Sequence, residues 1–228
     1  WVLLRTRKHL SEMKSAYSEI EIQRSELQLR NKDLTDSLNY ARRIQAALLP
    51  SEHHIRRIFP DYFIYYRPKH IVSGDFYWFS ERDDKYFIAA ADCTGHGVPG
   101  AFMSLLGMSF IDEIIDKEDA PRADFILNEL RLQITESLKQ SGGDDESKDG
   151  MDMGLLVIDY AANRIEFSGA YNPCFRVRKL TDDEAVKYTT IGLLTKAGLS
   201  YMSGRWKYGL TITTPSIRFY GSGSIQRE

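Results

Sequence analysis

The chain has 228 residues, 43% of them hydrophobic and 12% aromatic, which is enough to bury one substantial core. Its 30 basic and 32 acidic side chains leave a formal charge of −2, so there is no global basic footprint and no nucleic acid is expected as partner. Two cysteines, Cys93 and Cys174, make neither a disulfide framework nor a zinc-ligand cluster, which fits a reducing cytoplasm.

The chain opens without Met on Trp1-Val2-Leu3-Leu4, followed at once by Arg5, Arg7 and Lys8. Apolar residues running into a basic cluster are the pattern of the cytoplasmic end of a transmembrane helix, although four residues cannot span a bilayer. Residues 1–9 are therefore expected to be a juxtamembrane or linker end of a longer protein. The rest would be a cytoplasmic domain tethered to the inner face of the membrane by an upstream segment; a frayed helix end in a soluble sensor is the alternative.

From Leu10 to Leu48, spacings of three and four alternate through Leu10, Met13, Tyr17, Ile20, Arg24, Leu27, Asn31, Leu34, Leu38, Ala41, Gln45 and Leu48, with no Gly or Pro. This predicts one long helix over 10–49, stopping near Pro50, whose seam pairs in a coiled coil. Every d position is apolar, and Arg24, Asn31 and Gln45 are polar a positions that could fix register and partner number. A parallel homodimer is the simplest assembly; a single helix packed on its own domain is the other.

Ser73-Gly74-Asp75-Phe76-Tyr77-Trp78 places a carboxylate beside glycine at the edge of a β-prone run. Seventeen positions on, Asp92 ends the apolar run Tyr86–Ala91, and the polar turn Glu81–Lys85 joins the two runs as a hairpin. Gly95, Gly97 and Gly100 permit a tight turn, and Pro99 suits the first turn of a following helix. A carboxylate, a glycine turn and a helix N-terminus together suit a hard cation and a phosphate. Taken alone, the segment also reads as a capped structural turn. Helices are predicted over 98–116 and 121–140, a polar flexible loop over 141–148, and strands over 153–160 and 164–170, with Asp149 and Asp152 at the entry to the first.

Five motifs occur in order: Arg43-Ile44-Gln45-Ala46-Ala47-Leu48-Leu49-Pro50, Ser73–Trp78, Asp92-Cys93-Thr94-Gly95-His96-Gly97-Val98-Pro99-Gly100, Asp149-Gly150-Met151-Asp152, and Phe167-Ser168-Gly169-Ala170-Tyr171-Asn172-Pro173. Together they resemble the stage II sporulation protein E (SpoIIE)-type serine phosphatases, a bacterial branch of the metal-dependent type 2C protein phosphatases. The resemblance implies an α/β fold, a β-sandwich flanked by helices, over residues 50–228. It also implies two Mn2+ or Mg2+ ions that activate a water for attack on phosphoserine or phosphothreonine, with no covalent intermediate. Asp92 matches the bridging ligand, Asp75 the second acidic ligand, and Cys93 a ligand through its backbone carbonyl, so its thiol need not be reactive. Asp149 and Asp152 are further metal candidates, and Gly95, His96 and Gly97 candidates for substrate binding. His96 reads either as a general acid or as a residue held by a turn or helix-cap hydrogen bond, and Arg67 as a phosphate fork or a solvated strand-end arginine. The substrate implied is a phosphorylated regulatory protein such as an anti-anti-sigma-like domain.

Family members continue into a Gly-Asp strand and an Asp-Gly turn whose aspartates complete the metal site, and 216–228 hold no such turn. The expectation is therefore a phosphatase domain incomplete at its C-terminus, truncated or ending in a shifted frame. A catalytically degenerate phosphatase-like binding domain and a coiled-coil signalling scaffold are the competing readings.

Overall fold

The computed structural model describes residues 1–59, 62–119, 121–140, 149–180, 186–193, 208–214 and 218–221, with side chains up to Phe175 apart from Leu3 and Leu4. The polar loop expected over 141–148 lies outside the described residues.

Helix α1 runs Val2–Leu48, as the absence of Gly and Pro dictates, and ends two residues before Pro50. The chain divides into two compact units, Trp1–Arg43 and Ile44–Glu228. The first is helical from Val2 onward, with exposed i,i+4 pairs such as Arg30–Glu26 at 2.6 Å and serine hydroxyls turned back onto carbonyls one turn earlier. The boundary falls earlier than the heptad pattern suggests, because Gln45 is spent on hydrogen bonds inside the second unit.

In the second unit, Ser51 caps the short helix α2 (Glu52–Ile58) by accepting from the His54 backbone N–H. Among the described residues, nine strands follow in two sheets. One has the order β1-β8-β7-β6, from β1 (Tyr62–Tyr66), β6 (Cys174–Leu180), β7 (Val186–Leu193) and β8 (Tyr208–Thr214). The other has the order β2-β3-β4-β5-β9, from β2 (Phe76–Arg82), β3 (Lys85–Cys93), β4 (Met151–Asp159), β5 (Arg164–Ala170) and β9 (Arg218–Gly221). Pairing is antiparallel throughout except between β5 and β9. Helices α3 (Val98–Lys117) and α4 (Ala123–Ser137) complete the unit.

Alternation along β3 explains the layering. Phe87, Ala89, Ala91 and Cys93 join Phe76, Trp78, Met153 and Leu155 under α3 and α4, contributed by residues such as Met108, Ile111, Ile126 and Leu130. Ile88 and Ala90 point the other way, into a second core with Ile55 and Phe59 of α2, Leu156, Ile158, and Tyr62 and Ile64 of β1. Strand β3 is thus covered on both faces, which is why its sequence is a continuous apolar run and not an alternating one. Helix α3 is long and apolar enough to cross a bilayer by length and composition. Nine of its residues, from Gly100 to Ile115, are buried in this protein core instead.

Candidate metal centre

Strand register brings the acidic residues together. Phe76 opposes Ala91, so Asp75, one residue before β2, stands level with Asp92, and Asp92 opposes Asp152 on β4. Three carboxyl-bearing residues therefore form one row across neighbouring chain segments at one end of the five-stranded sheet. Asp92 lies between Ala91 and Cys93, both packed toward the helices, so its side chain faces the opposite side, toward the other sheet. Asp92 is inside β3, one residue short of its C-terminal end.

The Asp75 and Asp92 carboxyls share a hydrogen bond. Burial first, then that bond and the Asp92 charge, push the Asp75 carboxyl up to about 8. Two carboxylates held this close require a proton or a cation between them. The oxygens converging here are hard ligands of the kind that Mg2+ and Mn2+ take, so Asp75 and Asp92 fit such an ion. Among the described residues, no three His, Cys, Asp or Glu side chains converge as a complete ligand set.

Close backbone packing builds the rest of the site. A β-carbon on Gly100 would stand 2.7 Å from the Gly95 carbonyl oxygen and 3.0 Å from the Gly74 Cα. Only glycine lets the Ser73–Asp75 turn press this tightly on the start of α3. The Cys93 carbonyl oxygen lies 3.3 Å from the position of a Gly74 β-carbon, so the backbone oxygen expected to bind metal adjoins the Asp75 turn. The Cys93 thiol is buried, and burial followed by the charges of Asp75 and Asp92 raises its pKa, keeping it protonated and unreactive.

Asp149 lies two residues before the start of β4. Its carbonyl accepts from Gln140 Nε2 at 2.9 Å, and the adjoining Gly150 exchanges hydrogen bonds with Thr94, donating to its Oγ1 at 3.1 Å and accepting from its N–H at 2.9 Å. Asp149 thus flanks the Asp92 loop, whereas Asp152 belongs to the row. Asn172 Nδ2 donates to the Asp152 carbonyl at 2.8 Å, tying the last of the sequence motifs to the same row. The α3 N-cap is Gly97, at φ 66°, without a side-chain cap. His96 does not cap it: its exposed ring stacks on His70, with centroids 5.0 Å apart and planes 25° from parallel. Gly95, at φ 89°, makes the turn between them. Arg67 is exposed, just past the end of β1.

Sequence reasoning missed the hold on this turn. Tyr66 Oη donates to the Asp75 carbonyl at 3.1 Å, and Gln45 binds both backbone groups of Ser73. The conjunction of Gln45 with Ser73 inside two of the five motifs was the available signal.

An antiparallel sandwich with helices on an outer face and paired acids at a sheet end defines a type 2C phosphatase-like domain. The chain belongs to the Stage II sporulation protein E (SpoIIE) family, whose model matches residues 82–201. Asp92, Asp149 and Asp152 lie within that match; Asp75 lies outside it and enters the site through β2–β3 pairing. The fold is similar to that of the SiaA-PP2C domain of Pseudomonas aeruginosa, with 29% identity, a TM-score of 0.63 and 78% of each chain covered. A solved chain of the bacterial stressosome covers 67% of this chain and 95% of its own at 13% identity, but its TM-score of 0.35 is too low to bear on the fold. No curated protein matches the chain.

Proposed function

We propose that this protein is a metal-dependent serine/threonine phosphatase that hydrolyses phosphoserine or phosphothreonine on a regulatory protein in bacterial signal transduction. The observation carrying the reading is the contact between the Asp75 and Asp92 carboxyls, in a chain of the SpoIIE family. Asp75 and Asp92 would hold Mn2+ or Mg2+ with the Cys93 carbonyl, and Asp152 adds negative charge in the same row. When bound, the ions supply Lewis acidity and lower the pKa of water near a phosphate. The residues themselves orient the ligand oxygens, and the fold keeps the inert Cys93 thiol away from the chemistry. Exposed Gly95 and His96, with half-buried Gly97, would form the rim that a phosphorylated segment meets. An anti-anti-sigma-like domain suits as the substrate, and two copies joined through α1 at the inner face of the membrane suit as the assembly.

The test is hydrolysis of a phosphoserine peptide with Mn2+ or Mg2+, its loss on chelation, and Asp92→Asn. If the lost charge is worth ~3 kcal/mol in the transition state, the rate falls about a hundredfold. Undiminished turnover in that variant would exclude the assignment. A second reading, a phosphatase-like binding domain without turnover, is favoured by the lack of a third converging ligand among the described residues. It predicts phosphoprotein binding that is indifferent to metal.

A further inference from the structure

Gln45 occupies an a position of the heptad pattern, where an exposed or inter-helix amide is expected. Its side chain is instead 4% exposed and fully engaged within the second unit. Nε2 donates to the Ser73 carbonyl at 2.6 Å and to Ser104 Oγ at 2.7 Å, and Oε1 accepts from the Ser73 N–H at 3.0 Å. Ser104 Oγ in turn donates to the Ala101 carbonyl at 2.8 Å on α3. One carboxamide thus closes on both the N–H and the C=O of one residue, fixing the position and direction of that peptide as a neighbouring strand would.

The peptide so fixed lies two residues before Asp75. Gly74, between them, sits so near the backbones of Gly95, Cys93 and Gly100 that even a β-carbon there would stand 3.1–3.4 Å from them. The carbonyl of Asp75 is held from the far side by Tyr66. We propose that Gln45 is a positioning residue for Asp75: the end of α1 sets, through Ser73, where this carboxylate stands relative to Asp92. The inference rests on the metal-site reading above. Partners that orient ligating side chains act on affinity as the ligands themselves do, and a displacement near 1 Å is enough to impair a site.

The experiment compares the full chain with Gln45→Met, which keeps volume and helix propensity, and Gln45→Glu, which keeps length and the acceptor for Ser73. Ser104→Ala, which removes one acceptor of the carboxamide, serves if neither folds. Mn2+ affinity is measured by calorimetry, and amide hydrogen exchange is followed at Ser73–Asp75 and at Phe87–Ala91. In Gln45→Met, Mn2+ should bind at least tenfold more weakly and the Ser73–Asp75 amides should exchange faster, with Phe87–Ala91 unchanged; Gln45→Glu and Ser104→Ala should fall between. A purely structural glutamine would alter exchange or melting but leave Mn2+ affinity at the wild-type value in the folded variant, and that result overturns the proposal. Failure of the wild-type chain to bind Mn2+, or binding that survives Asp75→Asn, instead overturns the metal-site reading, and it is seen without any Gln45 variant.

Discussion

Paired carboxylates without a cation make their own pH dependence. With the Asp75 carboxyl pushed up to about 8 against an ordinary value near 4, the folded metal-free protein carries a proton between those values that the unfolded chain has already lost. The unfolded state then binds fewer protons, so stability falls as pH rises from about 4 to about 8 and levels off above it. Thermal melts of the chelated protein across this range should show the decline, and Asp75→Asn should flatten it. Mn2+ takes the place of that proton, so its binding at neutral pH should release close to one proton. Calorimetry in buffers of different ionisation enthalpy measures this number, and a value of zero would mean that the pair is already ionised.

Between elements, the β2–β3 hairpin fixes the register that sets Asp75 beside Asp92. Arg82 and Lys85 are its last paired residues, and Asp83 and Asp84 form the two-residue turn at φ 50° and 59°. Two successive positive φ values define a type I′ turn, which favours Asn or Asp followed by Gly. Asp84→Gly should therefore stabilise the protein, by about 0.5–1 kcal/mol, since glycine meets that conformation without steric cost. A denaturant midpoint unchanged or lowered in this variant would show that the turn is held by contacts other than its own geometry. This hairpin was legible in the sequence because polar turn residues separate two apolar runs. So were α3, α4, β4 and β5, to within a few residues at their ends, and the C-terminal end of α1, whose start at Val2 lies eight residues before the expected Leu10. Helix α2 and strand β1 were not. Glu52–Ile58 is too short for a helical period to declare itself, and Tyr62–Tyr66 pairs with Tyr208–Thr214, a partner that no local pattern reveals. The site divides the same way. Asp75, Asp92 and the glycine turn could be read from motifs, whereas the alignment of Asp152 with Asp92 depends on register between strands separated by two helices. Gln45 was misjudged because a heptad count does not register the tertiary burial that overrides it.

For the whole molecule, the unit Trp1–Arg43 poses a problem of exposed surface. Leu10, Met13, Tyr17, Ile20, Leu27 and Leu34 recur at spacings of three, four and seven, and each is exposed, Leu27 and Leu34 by about 60%. A second copy of the same helix would cover this stripe through a and d contacts, as a parallel two-stranded coil does. The chain should therefore sediment as a dimer whose dissociation depends on concentration. Arg24 and Asn31 are the polar interruptions of the a positions in that unit, weakening the seam while limiting its registers. Replacing them with Ile and Val buries two branched side chains per helix. At roughly 1.5–3 kcal/mol for each fully buried side chain, association should tighten well beyond tenfold. Because such a seam can hold two packings of similar energy, locking one of them should also fix phosphatase output, high or low, if the movement reaches Gln45. Sedimentation that shows monomers both before and after the double substitution would remove the second copy as the partner of this stripe. Activity that still responds to an upstream signal in a locked dimer would separate the coil from control of the Asp75–Asp92 pair.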